Sequence, residues 1–303
     1  MDGSSDAVHL AYVRAGYAAL VVVLLLLGMH IFMVVLGTHL YLYLQPSTSE
    51  SRELKRSRLP YTVLSWVILV LCSVGTAVDL KEMEKVFILP KYGLGDVVAS
   101  ELSWWSILGG VCILVGNLLG DGLLLYRCYL VWQDIWWVMV FPAVTFLAFV
   151  AQGIAFLVTS SAPGQPAPYA LASAWYILSA VFNITVTGLI VGRLMHARYQ
   201  VSKLVTLVDM RLYTGPVAIL VESALPLCLA AIAAAIVNLP HVAHPAGSFF
   251  TSLWIALSSF CPQLIIFRVA SGHSYTGENV VRSLKLEDFE TLELRANSNS
   301  DYT

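Results

Sequence analysis

Seven stretches of the chain run for roughly twenty residues or more with almost no charge: 15 to 44, 60 to 78, 103 to 132, 136 to 158, 169 to 192, 213 to 237 and 248 to 269. A helix rises about 1.5 Å per residue, so runs of this length cross a hydrocarbon core of about 30 Å. They are apolar on every face apart from isolated small or polar residues, and none shows the period-two alternation of a barrel strand. In lipid a backbone must satisfy its own hydrogen bonds, so the runs are helices. The pattern predicts an all-α integral membrane protein, a seven-helix bundle over 15 to 269, with a short segment 1 to 14 before it and a tail 270 to 303 after it. The connections 45 to 59, 79 to 102, 133 to 135, 159 to 168, 193 to 212 and 238 to 247 are too short for a soluble domain. The first run is far longer than a signal-peptide core and follows Asp2 and Asp6 with only Arg14 nearby, so an uncleaved helix is expected.

The composition agrees: 58% of residues are hydrophobic and 12% charged, about half the charged share usual in soluble domains. The formal net charge is -2, without the basic excess that holds phosphates, so nucleic acid is not an expected partner. Position carries more than number. Thirteen of the seventeen Lys and Arg fall at one side, including Arg52, Lys55, Arg56, Arg58, Arg127, Arg193, Arg198, Lys203 and Arg211, and four, Arg14, Lys81, Lys85 and Lys91, at the other. By the positive-inside rule the N-terminus faces out and the C-terminus faces the cytosol. Trp104 and Trp105, and Trp132, Trp136 and Trp137, sit where interfacial anchors belong. The tail combines nine charges with Val281, Leu284, Phe289 and Leu292, the composition of a short amphipathic stretch followed by disorder.

Polar residues inside the runs recur on single helix faces. Helix 5 carries Tyr176, Ser179, Asn183 and Thr187; helix 2 carries Ser65, Cys72, Thr76 and Asp79; helix 7 carries Ser252, Ser259 and Gln263. Helix 3 has Asn117 and a seam of Gly109, Cys112, Gly116 and Gly120, the last two a Gly-x-x-x-Gly that permits close approach. Two readings fit these faces: polar groups joining packed helices, or the lining of a ligand cavity formed by Asn117, Tyr176, Ser179, Asn183, Thr187, Ser259 and Gln263. Two acids lie deep, Asp121 about 18 Å and Glu222 about 14 Å from the cytosolic ends of their helices. Arg127 points to another face than Asp121, so a partner on a different helix, Glu222 included, is expected. A helix 3 to helix 6 contact among Asp121, Arg127 and Glu222 would act as a two-state switch or as a permanent pair. Pro142, Pro226 and Pro262 interrupt backbone bonding in helices 4, 6 and 7.

Signatures of enzyme chemistry do not occur in the sequence. The last run holds no Lys for a retinal Schiff base and no His of the kind intramembrane zinc hydrolases use, and His241 and His244 supply only two ligands. There is no H-E-x-x-H, P-loop or G-x-S-x-G. Neither catalysis, metal nor cofactor is expected. Cys72, Cys112, Cys128, Cys228 and Cys261 lie in the runs or at their cytosolic edge, so no outer disulfide framework is expected.

Gly120-Asp121-Gly122, then Tyr126-Arg127-Cys128-Tyr129 and Trp132, followed by Asn183-Ile184-Thr185-Val186-Thr187 with Arg193-Leu194, Glu222-Ser223, and Pro262 with Leu264-Ile265-Ile266 and Arg268-Val269-Ala270, form an ordered set. In these the chain resembles a group of uncharacterised seven-helix membrane proteins of basidiomycete fungi, with Ala224 and Gln263 where Gly and Thr would be usual. The resemblance spans helices 3 to 7. It implies the architecture, a fungal origin and a receptor-like role, and no catalytic residue. To G-protein-coupled receptors at large the similarity is topological: Arg127-Cys128-Tyr129 stands in place of their Asp-Arg-Tyr, and helix 7 lacks Asn-Pro-x-x-Tyr. The resulting expectation is a plasma-membrane sensor of a small apolar ligand. Beyond the lipid bilayer, its partner would be a cytosolic signalling protein docked on Arg52, Lys55, Arg56, Arg58, Arg193, Arg198, Lys203 and Arg211. A transporter, proton-coupled or not, and a non-signalling scaffold are the rival readings.

Overall fold

A computed structural model of the chain describes residues 3–43, 49–88, 104–162, 169–204, 211–239 and 246–270, with side chains for 10–42, 59–81, 83, 84, 104–162, 169–196, 199, 224–239 and 246–267. Among the described residues there are seven α-helices and no strand: α1 (Gly3–Tyr43), α2 (Ser49–Ile88), α3 (Trp104–Val131), α4 (Val140–Ser160), α5 (Tyr169–Leu204), α6 (Arg211–Val237) and α7 (Ala246–Ala270), with a 3-10 turn at Trp136–Met139 leading into α4. Six of them are long and apolar enough to cross a membrane, from the 33 residues of Leu10–Leu42 to the 22 of Ala246–Phe267. In α6 the described side chains begin at Ala224, and Ala224–Val237 is apolar but shorter than a full crossing.

Several helices outrun the apolar stretches that announced them. α1 takes in most of the segment 1 to 14, α2 begins at Ser49 within the predicted connection 45 to 59, and α5 continues past Arg193 to Leu204. Hydropathy changes where lipid gives way to water, but a helix stops only where its backbone is interrupted. Residues 49–59 and 193–204 are built from Glu, Lys, Arg, Leu, Met and other helix formers with no Gly or Pro. The tail beyond 270, His241 and His244 lie outside the described residues.

Consecutive helices pack side by side, and α1 closes against α7 to complete a ring. α3 leans inward onto α5 and α7, and α2 also reaches α7, so α3 and α7 have the most neighbours. Burial runs opposite to that of a soluble protein. Large apolar side chains such as Leu25, Phe32, Leu147, Val158 and Leu229 point outward, while His30, Ser65, Asn117, Asp121, Asn183 and Gln263 are buried. That is the arrangement hydrocarbon solvent selects, and it defines the contact with a lipid bilayer.

The interior is closed by aromatic and small residues. Trp254 of α7 meets Trp175 and Tyr176 of α5 edge-on at centroid distances of 5.2 and 4.9 Å. Phe149 of α4 and Leu227, Ala231 and Ala234 of α6 complete this cluster. Ala230, Ala231, Ala234 and Ala235 give α6 a face of single methyl groups, which lets it lie close to α5 and α7.

Candidate functional site

α7 carries the polar connections of the bundle. From its start inward, Thr251 Oγ1 accepts from Asn238 Nδ2 at 3.2 Å and pairs with the Tyr176 hydroxyl at 3.3 Å. One turn on, Trp254 Nε1 donates to Ser179 Oγ at 3.1 Å. Ser258 Oγ donates to Asn117 Oδ1 at 2.6 Å, and Gln263 Nε2 donates to Ser65 Oγ at 2.6 Å. His30 of α1 is buried, and its Nε2 has no hydrogen-bond partner. Through one helix, residues of α2, α3, α5 and the end of α6 are joined. Thr251, Trp254 and Ser258 follow the 3.6-residue repeat and share a face toward α5, the end of α6 and α3, whereas Gln263 lies further along and meets α2.

Asp121 of α3 is 6% exposed and accepts from Asn183 Nδ2 of α5 at 3.4 Å; the same amide donates to Ser179 O at 3.0 Å. The partner on another helix is therefore Asn183. Arg127 turns to the α2 side, its guanidinium 5.8 Å from the ring centre of Tyr61. The Glu222 side chain lies outside the described residues, so the helix 3 to helix 6 contact is not part of the described geometry. At the same end Arg193 bridges Asp134 in the turn after α3 at 2.7 Å and lies 5.3 Å from the ring centre of Trp132, whose Nε1 donates to Leu189 O. The side chains of Arg52, Lys55, Arg56, Arg58, Arg198, Lys203 and Arg211 lie outside the described residues.

At the opposite end five helices surround a cavity of about 500 Å³. Its walls are Gly16, Ala19, Leu20 and Val23 from α1; Val78, Asp79 and Met83 from α2; Ser106, Gly109, Gly110 and Ile113 from α3; Phe156, Leu157 and Ser160 from α4, with Ser161 just after it; and Thr251 and Ser252 from α7. The first halves of α1, α3 and α7 thus lie beside the ends of α2 and α4, so α1, α3 and α7 run opposite to α2 and α4. Below it lies a smaller cavity of about 20 Å³, which shares Val23, Asp79 and Ile113 and adds Cys72, Thr76 and Ser259. Two glycines in the wall of the larger cavity let its neighbours close on α3: a Cβ on Gly110 would stand 2.6 Å from Leu157 Cδ1, and one on Gly109 3.0 Å from Val78 Cγ1.

Of the seven residues expected to line a ligand cavity, Ser259 lines one, the small one. Asn117, Tyr176, Ser179, Asn183 and Gln263 are buried in helix-to-helix hydrogen bonds, and Thr187 is half-buried on α5. The large cavity instead uses the polar face of helix 2, where Asp79 was already legible, and small residues of α1 and α3 that carry no polar signal. His30, alone in an apolar run, had no pattern to mark it. Among the described residues no three His, Cys, Asp or Glu side chains come together in a way that would hold a metal ion.

Fold and site together define a class: a multi-pass helical membrane protein with an end-on cavity above a polar interior. No family model, curated protein or solved structure matches the chain.

Proposed function

We propose that the protein is a receptor-like sensor of the plasma membrane, belonging to the fungal seven-helix group whose helix 3 to helix 7 motifs it resembles. α6 supplies the seventh crossing, the N-terminus faces out and the C-terminus faces the cytosol. In this orientation the 500 Å³ cavity opens at the outer side, and its size falls in the usual range for small-molecule sites, about 300–1,000 Å³. The observation that carries the reading is that α7 belongs to both places. Thr251 and Ser252 line the cavity, while Ser258 and Gln263 of the same helix hold Asn117 and Ser65 deeper in the bundle.

A ligand that presses on the second turn of α7 competes with the Thr251 contacts to Tyr176 and Asn238. Pro262 gives α7 a hinge next to Gln263, so the displacement works on the Ser258 and Gln263 contacts beside that hinge and through them on the inner ends of α3 and α5. There Asp121, Arg127 and Glu222 are the switch, and Arg52, Lys55, Arg56, Arg58, Arg193, Arg198, Lys203 and Arg211 form the face for a cytosolic signalling protein.

Filling the cavity tests this without knowledge of the ligand. In a background lacking the five native cysteines, spin labels are placed at Leu130→Cys and Met195→Cys, two exposed positions near the inner ends of α3 and α5. Leu20→Trp, which fills the cavity, is expected to shift the label-to-label distance by about 1–2 Å or more in nanodiscs. Identical distance distributions, together with proton flux into liposomes that Asp121→Asn abolishes, would replace the sensor with a transporter.

A further inference from the structure

We propose that Arg127 and Tyr61, between α2 and α3 at the end of the bundle opposite the cavity, hold an anionic phospholipid by its phosphate. This goes beyond the sensor reading and needs only that α2 and α3 cross the bilayer. The two helices keep one antiparallel register along their length. Near the cavity Val78 faces Gly109 and Gly75 faces Ile113. Carried to the other end, the same register brings Tyr61 level with Arg127, whose guanidinium lies 5.8 Å from the ring centre. Both side chains are half-buried. Behind them Leu64, Ile68, Leu123 and Ile266 close the interior with apolar groups, so the guanidinium has nothing polar to turn to on that side.

Arg193, at the same end, shows a guanidinium fully answered: the Trp132 ring lies at 5.3 Å and the Asp134 carboxylate at 2.7 Å. Arg127 has the ring without the anion. Among the described residues it makes no hydrogen bond or ion pair, and the Tyr61 hydroxyl has no hydrogen-bond partner either. α6, which carries Glu222, packs against α5 and α7, away from the α2 side to which Arg127 turns. A ring face attracts the charge but leaves the five N–H groups of the fork open, and arginine does not lose its proton to escape burial. A charge held part-way out of water with no counter-ion is costly, so the site is one anion short. Its depth says which anion. Arg127 stands four residues before the last residue of α3, about 6 Å from the helix end, where headgroups meet acyl chains. Tyr126 and Tyr129 beside it in sequence are 52% and 50% exposed, as aromatic residues at that level are. An arginine fork takes two phosphate oxygens in parallel, and the Tyr61 hydroxyl can donate to another.

To test this, the full chain is released from nanodiscs of equal parts phosphatidylglycerol and phosphatidylcholine with matched acyl chains, and native mass spectrometry counts the lipids it keeps. Phosphatidylglycerol is expected to be kept in preference by about fivefold or more. Arg127→Gln should bring the ratio to within about twofold of unity, and Arg127→Lys should retain part of the preference. Lys81→Gln removes the same charge at the other end, where its Nζ lies 4.3 Å from the ring centre of Trp105, and should leave the ratio unchanged. Tyr61→Phe keeps the ring and loses only the hydroxyl; it should lower the ratio about twofold, and it carries the test if the Arg127 variants do not elute as folded protein. No preference in the unaltered chain, or one that survives Arg127→Gln, overturns the site. An equal loss in Lys81→Gln overturns it too, by making the preference one of net charge. Displacement of the kept lipid by millimolar glycerol 3-phosphate would make a free phosphate the ligand and overturn the lipid assignment.

Discussion

Gly116 and Gly120 stand one turn apart on α3 and do opposite things. A Cβ on Gly120 would lie 2.6 Å from Pro262 Cγ and 3.5 Å from Ser258 O, so this glycine is where α7 touches α3. At Gly116 the same Cβ would meet nothing within 4 Å. Gly120→Ala should therefore lower stability by about 1–3 kcal/mol through overpacking. Gly116→Ala should leave stability unchanged or raise it by up to about 1 kcal/mol, because alanine is the better helix former. Reversible unfolding in mixed detergent micelles measures both. The Gly-x-x-x-Gly spacing in the sequence announced a close approach, but spacing alone does not say which glycine bears it. That depends on the ring of Pro262, some 140 residues away. Asp121 repeats the point: its depth was legible from its place in an apolar run, whereas its bond to Asn183 depends on how α3 and α5 are rotated about their axes.

Among the helices α7 is the one whose side chains serve the most others, and its contacts are individually small. Hydrogen bonds between membrane helices average about 0.6 kcal/mol, since groups separated in the membrane find other partners. Ser258→Ala should cost about 1 kcal/mol, because it removes the donor to Asn117 Oδ1 while Asn117 Nδ2 already has no hydrogen-bond partner. In an Asn117→Leu background the same substitution should cost nearly nothing, and the difference between the two backgrounds isolates the pair. Unfolding of the four proteins in one micelle system reads the cycle; equal costs in both backgrounds would mean that the single Ser258 hydroxyl proton goes to Ile255 O, the competing acceptor at 2.7 Å. The existence of these helices was plain from the hydropathy pattern. Their ends were not: the water-facing turns of α2 and α5 are held by backbone bonding and by Glu, Lys, Arg and Leu, which hydropathy scores as loop.

For the molecule as a whole, the bundle has two unlike ends. One holds the cavity and the other the Arg193 to Asp134 bridge and the Arg127 to Tyr61 contact. With the N-terminus outside, an epitope before Gly3 should be labelled on intact cells, and one placed after Thr303 only after permeabilisation. The reverse pattern would turn the cavity toward the cytosol and remove the outer-ligand reading. The cavity itself was illegible in the sequence for a physical reason. It is enclosed by segments near residues 16, 79, 107, 157 and 251, and small or apolar residues at five helix ends form no periodic pattern until the ring closes.

That ring closes late. α7 leaves the ribosome after the other six helices, so until it arrives Ser65, Asn117, Ser179, Tyr176 and Asn238 lack the partners it supplies. A chain halted before residue 246 would present polar side chains to lipid on several helices at once, the kind of surface that membrane chaperones and proteases bind. The bonds that join the finished bundle are therefore the ones an unfinished bundle lacks.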